Sequence, residues 1–313
     1  MALTRKRFLI AKSESTYGTD STPVGGTDAV QVTDLEVTPI ESDNVTAGTL
    51  QGFLGNSTRS TLVANKRVSV TFGVELSGSG TAGTAPAFGP LLKACGLSET
   101  VVAGTSVTYA GVSGSFDSAT IYCFYDGTRH KITGCRGTVT FSLVGGQFAA
   151  ANFEMIGIYN APDNTSLSGT FTVANQAAAL EVNDTNVTTA TFHGVTDVRI
   201  ESFDLALNND VVFKETLSSK EVVIVNRLPG GTAVLEAPAV GTTDYFTKAV
   251  GVTQASSSIV LGATGGNIVT MTMAQTDITG VSYGDTNGVI NLSIPYLALP
   301  STSGNDEVSI AFT

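Results

Sequence analysis

Three short signatures occur twice in this chain, in the same order and about half a chain apart. Val32-Thr33-Asp34 returns as Val195-Thr196-Asp197, and Lys93-Ala94-Cys95-Gly96 returns as Lys248-Ala249-Val250-Gly251. Tyr159-Asn160-Ala161-Pro162 has a looser echo in Tyr296-Leu297-Ala298-Leu299-Pro300. The offsets are 163, 155 and 137 residues, so the second copy is the shorter, mainly after its helix-like stretch. One match alone carries little weight in a sequence rich in Thr, Val and Gly; the shared order predicts a duplication. Residues 1–162 and 191–313 are expected to fold as two similar domains, with 163–190 as the linker. A fused pair of this kind lets one chain fill two equivalent positions in a ring.

Strand patterns dominate, and the predicted fold class is all-β: two tandem β-sandwiches, each with one short flanking helix. Val68, Val70, Phe72, Val74 and Leu76 alternate with Ser69, Thr71, Gly73 and Glu75. That period of two puts apolar side chains on one face and polar ones on the other. Val139-x-Phe141-x-Leu143 repeats the habit, and Ile200-x-x-Phe203-x-Leu205-x-Leu207 does so with an irregularity that predicts a bulge. Glu221-Val222-Val223-Ile224-Val225 is a continuous apolar run, expected to be covered on both faces. Asp126-Gly127 predicts a tight hairpin that sets Cys123 across from His130. A further strand is expected around residues 170–173 in the linker.

Helix is scarce. Phe88, Leu91, Leu92 and Cys95 share helical spacing ahead of Gly96, with Pro90 limiting the length. The second helix is expected to open with Thr242 or Thr243 as N-cap and to stop at Gly251. The stretch 41–65 has no reliable period; it mixes Gly, Asn, Ser and Thr around the apolar Leu50, Phe53 and Leu54. Such a long excursion is expected to serve a partner.

Charge and cysteine content narrow the function classes. Charged residues make up only 14% of the chain, which suggests that much of the exterior meets other protein. A net charge of -11 opposes nonspecific nucleic-acid binding by the whole molecule. Apolar runs fall short of the roughly 18 residues of a membrane span, so no membrane insertion is expected. Phe8-Leu9-Ile10-Ala11 is too short for a signal segment, and the chain reads as cytoplasmic when made. Cys95, Cys123 and Cys135 are an odd set without metal spacing, expected as buried free thiols.

Gly78-Ser79-Gly80-Thr81-Ala82-Gly83 fits a dinucleotide-binding turn, with Glu99 downstream, but the preceding strand alternates and no βαβ series follows. A flexible loop is the better reading. His130 and His193 belong to no metal spacing, and no nucleophile elbow accompanies the serines. Acidic pairs such as Glu36/Glu41 and Asp306/Glu307 read as solvated strand ends. No catalytic residue, metal site or cofactor is therefore expected.

The run from Phe8 through Lys12, Tyr17, Gly18 and Asp20 to Pro23 resembles the opening of major tail tube proteins of long, non-contractile bacteriophage tails. Asp34-Leu35-Glu36-Val37-Thr38-Pro39 and Leu91-Leu92-Lys93-Ala94-Cys95-Gly96 look like the same family, over most of residues 1–162. The resemblance implies β-sandwiches joined sideways into a closed inner barrel, in rings that stack into a tube for DNA ejection. The internal echoes favour the fused double type, in which three chains replace six. Implied partners are other copies of the chain, then the tape-measure, tail terminator and distal tail proteins, with DNA passing through without specific binding. The implied location is the virion tail, after assembly in the host cytoplasm. Within that picture 41–65 is the candidate stacking arm, anchored by Leu50, Phe53 and Leu54. Ser69, Thr71 and Glu75 are the candidate lumen face, since a polar or acidic wall keeps phosphate off the surface. Two rivals remain: a decoration or adhesin protein of paired sandwiches, and a carbohydrate-binding or hydrolytic β-sandwich.

Overall fold

Alternation decides which faces of this protein meet. The computed structural model describes residues 3–46, 48, 52, 54, 61–251 and 253–313. The first half contains β1 (Arg7–Ser13), β2 (Ala29–Val30), β3 (Thr33–Val45), β4 (Leu62–Glu75), α1 (Gly89–Ala94), β5 (Leu97–Val102), β6 (Ser106–Gly111), β7 (Ala119–Tyr125), β8 (Thr128–Val144) and β9 (Ala150–Tyr159). The second half contains β10 (Val187–Phe192), β11 (Val195–Thr196), β12 (Ile200–Ala206), β13 (Asn209–Glu215), β14 (Lys220–Arg227), β15 (Gly230–Glu236), α2 (Tyr245–Val250), β16 (Ala255–Leu261), β17 (Val269–Ile278), β18 (Ser282–Thr286), β19 (Val289–Leu299) and β20 (Ser309–Phe312). The fold is mainly β, with two short helices among the described residues.

The same six pairings occur in each half. In the first, β2 pairs β1, β1 pairs β7, β7 pairs β8, β8 pairs β9, β9 pairs β4 and β4 pairs β3. In the second, β11 pairs β10, β10 pairs β16, β16 pairs β17, β17 pairs β19, β19 pairs β15 and β15 pairs β12. The halves then lock together twice. β12 adds to the C-terminal end of β8, and β20 bridges β17 to β6. One hydrophobic core runs through both halves, from Leu9 and Phe72 to Ile294 and Phe312.

One sheet crosses both halves. Its order is β3-β4-β9-β8-β12-β15-β19-β18, antiparallel throughout. Val68, Val70, Phe72, Val74 and Leu76 are all buried on its inward side, as their alternation requires. The expected bulge near Ile200 falls between Ile200 and Ser202.

Several local expectations need correction. α2 is capped by Asp244, not by Thr242 or Thr243; the Asp244 carboxylate accepts the Thr247 N–H at 2.9 Å. Residues 170–173 form no strand; Thr172 N–H instead donates to the Gly25 carbonyl. The apolar run of β14 is covered on one face only. Val222 and Ile224 are buried while Val225 is exposed, because β13 and β14 form a separate two-stranded ribbon lying on the first half. Part of the stretch 41–65 is regular: β3 and β4 continue into it as a ribbon, with Asp43 opposite Ala64 and Val45 opposite Leu62.

The hairpin at Asp126-Gly127 sets Cys123 opposite His130, and all three cysteines are buried and free. The segment after β9 is pinned to the first half. Arg129 Nε donates to the Asp163 carboxylate at 3.0 Å, and this bond holds the carboxyl down at about 2. The glycine-rich turn at Gly78 packs on the second half. Gly78 N–H donates to Asn267 Oδ1 at 2.7 Å, and a Cβ on Gly78 would lie 2.2 Å from the Gly266 carbonyl. Glycine is needed there for close backbone approach.

Candidate functional site

The outward face of the long sheet is polar across the seam between the halves. Glu36, Thr71, Glu154 and Thr138 lie side by side in one cross-strand row. Gly73, Asn152, Thr140 and Ala206 form the next. Glu75, Ala150, Ser142 and Asp204 form a third, in which Ser142 Oγ donates to Asp204 Oδ1 at 2.6 Å. These three rows carry four carboxylates, four hydroxyls, one amide and no Lys or Arg. Ser69, Thr71 and Glu75 thus share one face, opposite the core, with Thr71 the most open.

Two arginines of this sheet, on β4 and β8, are compensated. Arg67 Nε donates to Glu41 Oε2 at 3.0 Å, and Ser69 Oγ donates to the other oxygen of Glu41 at 2.6 Å. Arg136, beside Ile156, is buried and turned to the β13–β14 ribbon; its Nη1 donates to the Val222 carbonyl at 2.6 Å. Tyr17 accepts the Val222 N–H beneath it, and burial pushes its phenol up to about 12.

The candidate arm lies only partly within the described residues. Leu54 is fully exposed, whereas Leu50 and Phe53 lie outside the described residues. The ribbon leading to it exposes Ile40, Val45, Leu62 and Val63. A second apolar patch that the sequence did not mark lies in the second half, where Val250 and Tyr283 are exposed. Tyr283 has no hydrophobic periodicity around it, so only strand pairing identifies it as an edge residue.

His193 is buried, with Nε2 at 2.8 Å from the Thr253 carbonyl, to which it donates; burial lowers its pKa. His130 stacks edge-on against Tyr125. Among the described residues no cluster of three or more His, Cys, Asp or Glu has the geometry of a metal site. A cleft of about 500 Å³ between the halves is lined by Asp184, Asp197, Arg199 and Glu201 but by no histidine or cysteine. Among the described residues no helix is long and apolar enough to cross a membrane.

An all-β chain whose two halves share one sheet, with a polar outer face and open edges, has the build of a structural assembly protein. The family model for phage tail tube proteins matches residues 4–313, and the chain belongs to that family. Its place is the virion tail, and the family is a structural one. A comparison with the curated proteins finds no match.

Proposed function

We propose that this chain is a duplicated tube subunit, three copies of which close a ring that stacks into the bore for DNA ejection. The observation carrying this reading is the repetition of six strand pairings in the same chain order, with the halves joined edge to edge. Such a chain supplies two equivalent positions, so three chains make six. The polar rows through Thr71, Gly73 and Glu75 form the bore, because carboxylates repel phosphate and hydroxyls release no counterions. The ring-stacking role stays with the tip of 41–65, including Leu50, Phe53 and Leu54. No catalytic step belongs to this reading.

Electron microscopy of the purified protein tests it. The expected result is rings or tubes with a central bore; discrete particles at all concentrations would favour a decoration protein instead.

A further inference from the structure

The long sheet repeats itself across its own middle. Its first four strands are β3-β4-β9-β8 and its last four β12-β15-β19-β18; the β8–β12 seam joins the two sets. Among the described residues, the outer edges of β3 and β18 have no strand partner. We propose that these edges pair with each other, antiparallel, between copies of this chain, and that the β3–β4 ribbon of one copy covers the end of α2 in the next. This rests on the ring reading above and names the joint that such a ring needs.

The seam supplies the register. There Leu205 stands opposite Phe141 and Phe203 opposite Leu143. Phe141 and Tyr283 each lie three residues before the end of their strand, at Val144 and Thr286; Phe141 continues through Ala151 to Val74, and Tyr283 through Leu292 to Leu235, the matching row of the second set. With Val74 matched to Leu235, Val70 matches Gly231; Val37 pairs with Val70 and so holds the place of Leu205, and Leu35 that of Phe203, which pairs with Ala233. Val37 of one copy therefore faces Tyr283 of the next.

The ribbons give a second, separate observation. β13–β14 springs from β12 and β15 as the distal ribbon springs from β3 and β4. It covers the end of α1: Ile224 Cδ1 lies 3.3 Å from the Cβ position of Gly96, and Arg227 Nη1 donates to the Gly96 carbonyl at 3.1 Å. The matching end of α2, Val250-Gly251, is bare, with Val250 83% exposed. The β3–β4 ribbon meanwhile carries its apolar side chains uncovered. The lateral step that relates β12 on β8 to β3 on β18 brings this ribbon over Val250, so a single head-to-tail contact buries both patches and pairs both edges.

In the free chain the β3 edge is partly capped. The Leu35 carbonyl accepts from Arg7 Nη1 at 2.9 Å and from the Tyr125 hydroxyl at 3.3 Å. Capping of this sort blunts an exposed strand before its partner arrives.

The test is disulfide trapping in the full chain. Val37→Cys with Tyr283→Cys, and separately Thr38→Cys with Ser282→Cys, are oxidised after assembly. Adjacent positions are used because in an antiparallel pair only alternate residues bring their side chains closest. The native thiols are buried and stay out of the reaction. The expected result is covalent dimers and trimers on a non-reducing gel from at least one double variant, and monomer from each single variant. If wild-type chains form rings or tubes but neither double variant cross-links, the joint is wrong and the tube reading stands. If wild-type chains form neither, the tube reading fails and the joint falls with it.

Discussion

Phe141 and Tyr283 occupy the same station in the two halves of the long sheet, Phe141 fully buried opposite Leu205 and Tyr283 68% exposed at an open edge. The difference is one missing strand. β12 covers the edge beside Phe141, while among the described residues no strand covers the edge beside Tyr283. An open edge of this kind is a template for pairing with another chain.

Tyr283→Glu is expected to leave the isolated chain folded, because an exposed side chain contributes little to stability, generally within about 0.5 kcal/mol. The same change should abolish rings and tubes by placing an unpaired charge in a buried joint. Circular dichroism with sedimentation velocity checks both halves of the expectation: native spectrum, monomer mass.

Arg227 and Glu307 form a nearly buried ion pair where the β13–β14 ribbon meets the first half, and Arg227 also serves the Gly96 and Val112 carbonyls. Removing one partner strands the other charge. Glu307→Ala is expected to destabilise the chain by about 3 kcal/mol, at the lower end for a broken buried pair. Urea denaturation measures it; a loss under about 1 kcal/mol would mean that water reaches the site.

Asp163 predicts an acid-sensitive linker. Its folded pKa is depressed to about 2 by Arg129, so its contribution is present above the usual carboxylate range. That contribution is lost as pH falls from about 4 through about 2. Hydrogen exchange across 163–190 should therefore quicken over this interval, relative to the rise expected from intrinsic chemistry. Arg129→Met should remove the pH dependence of that difference.

Glu75 offers a test of the bore. It lies at the end of the row with Ser142 and Asp204, on the face away from the core. Glu75→Lys should fold normally, and virions carrying it should eject DNA more slowly, most of all at low salt, where added cations hold phosphate best. Equal ejection rates at low ionic strength would place Glu75 away from the DNA path.

The strands were legible because alternation is local. The alternation from Val68 to Leu76 fixes a face without reference to any partner, and Lys93–Gly96 against Lys248–Gly251 is visible as a string. What escaped was non-local. The run Val222 to Val225 gives no hint that its ribbon docks on Gly96, more than a hundred residues away. Thr170 to Val173 has strand-like residues, but its Thr172 N–H bonds to the loop at Gly25 instead of to a strand. Tyr283 becomes meaningful only once its row through Leu292 and Leu235 is matched to that of Phe141. On the polar face, Ser69, Thr71 and Glu75 could be grouped from period alone, whereas Glu154 and Asp204 join them only through register.

The number of chains per ring bears most directly on the duplicated-subunit account. Native mass spectrometry of isolated rings, with a density map of the stacked tube, should give three chains of 32.1 kDa and a continuous inner sheet in which β18 of each chain abuts β3 of the next. Six chains per ring, with the second half lying outside the inner wall, would contradict it.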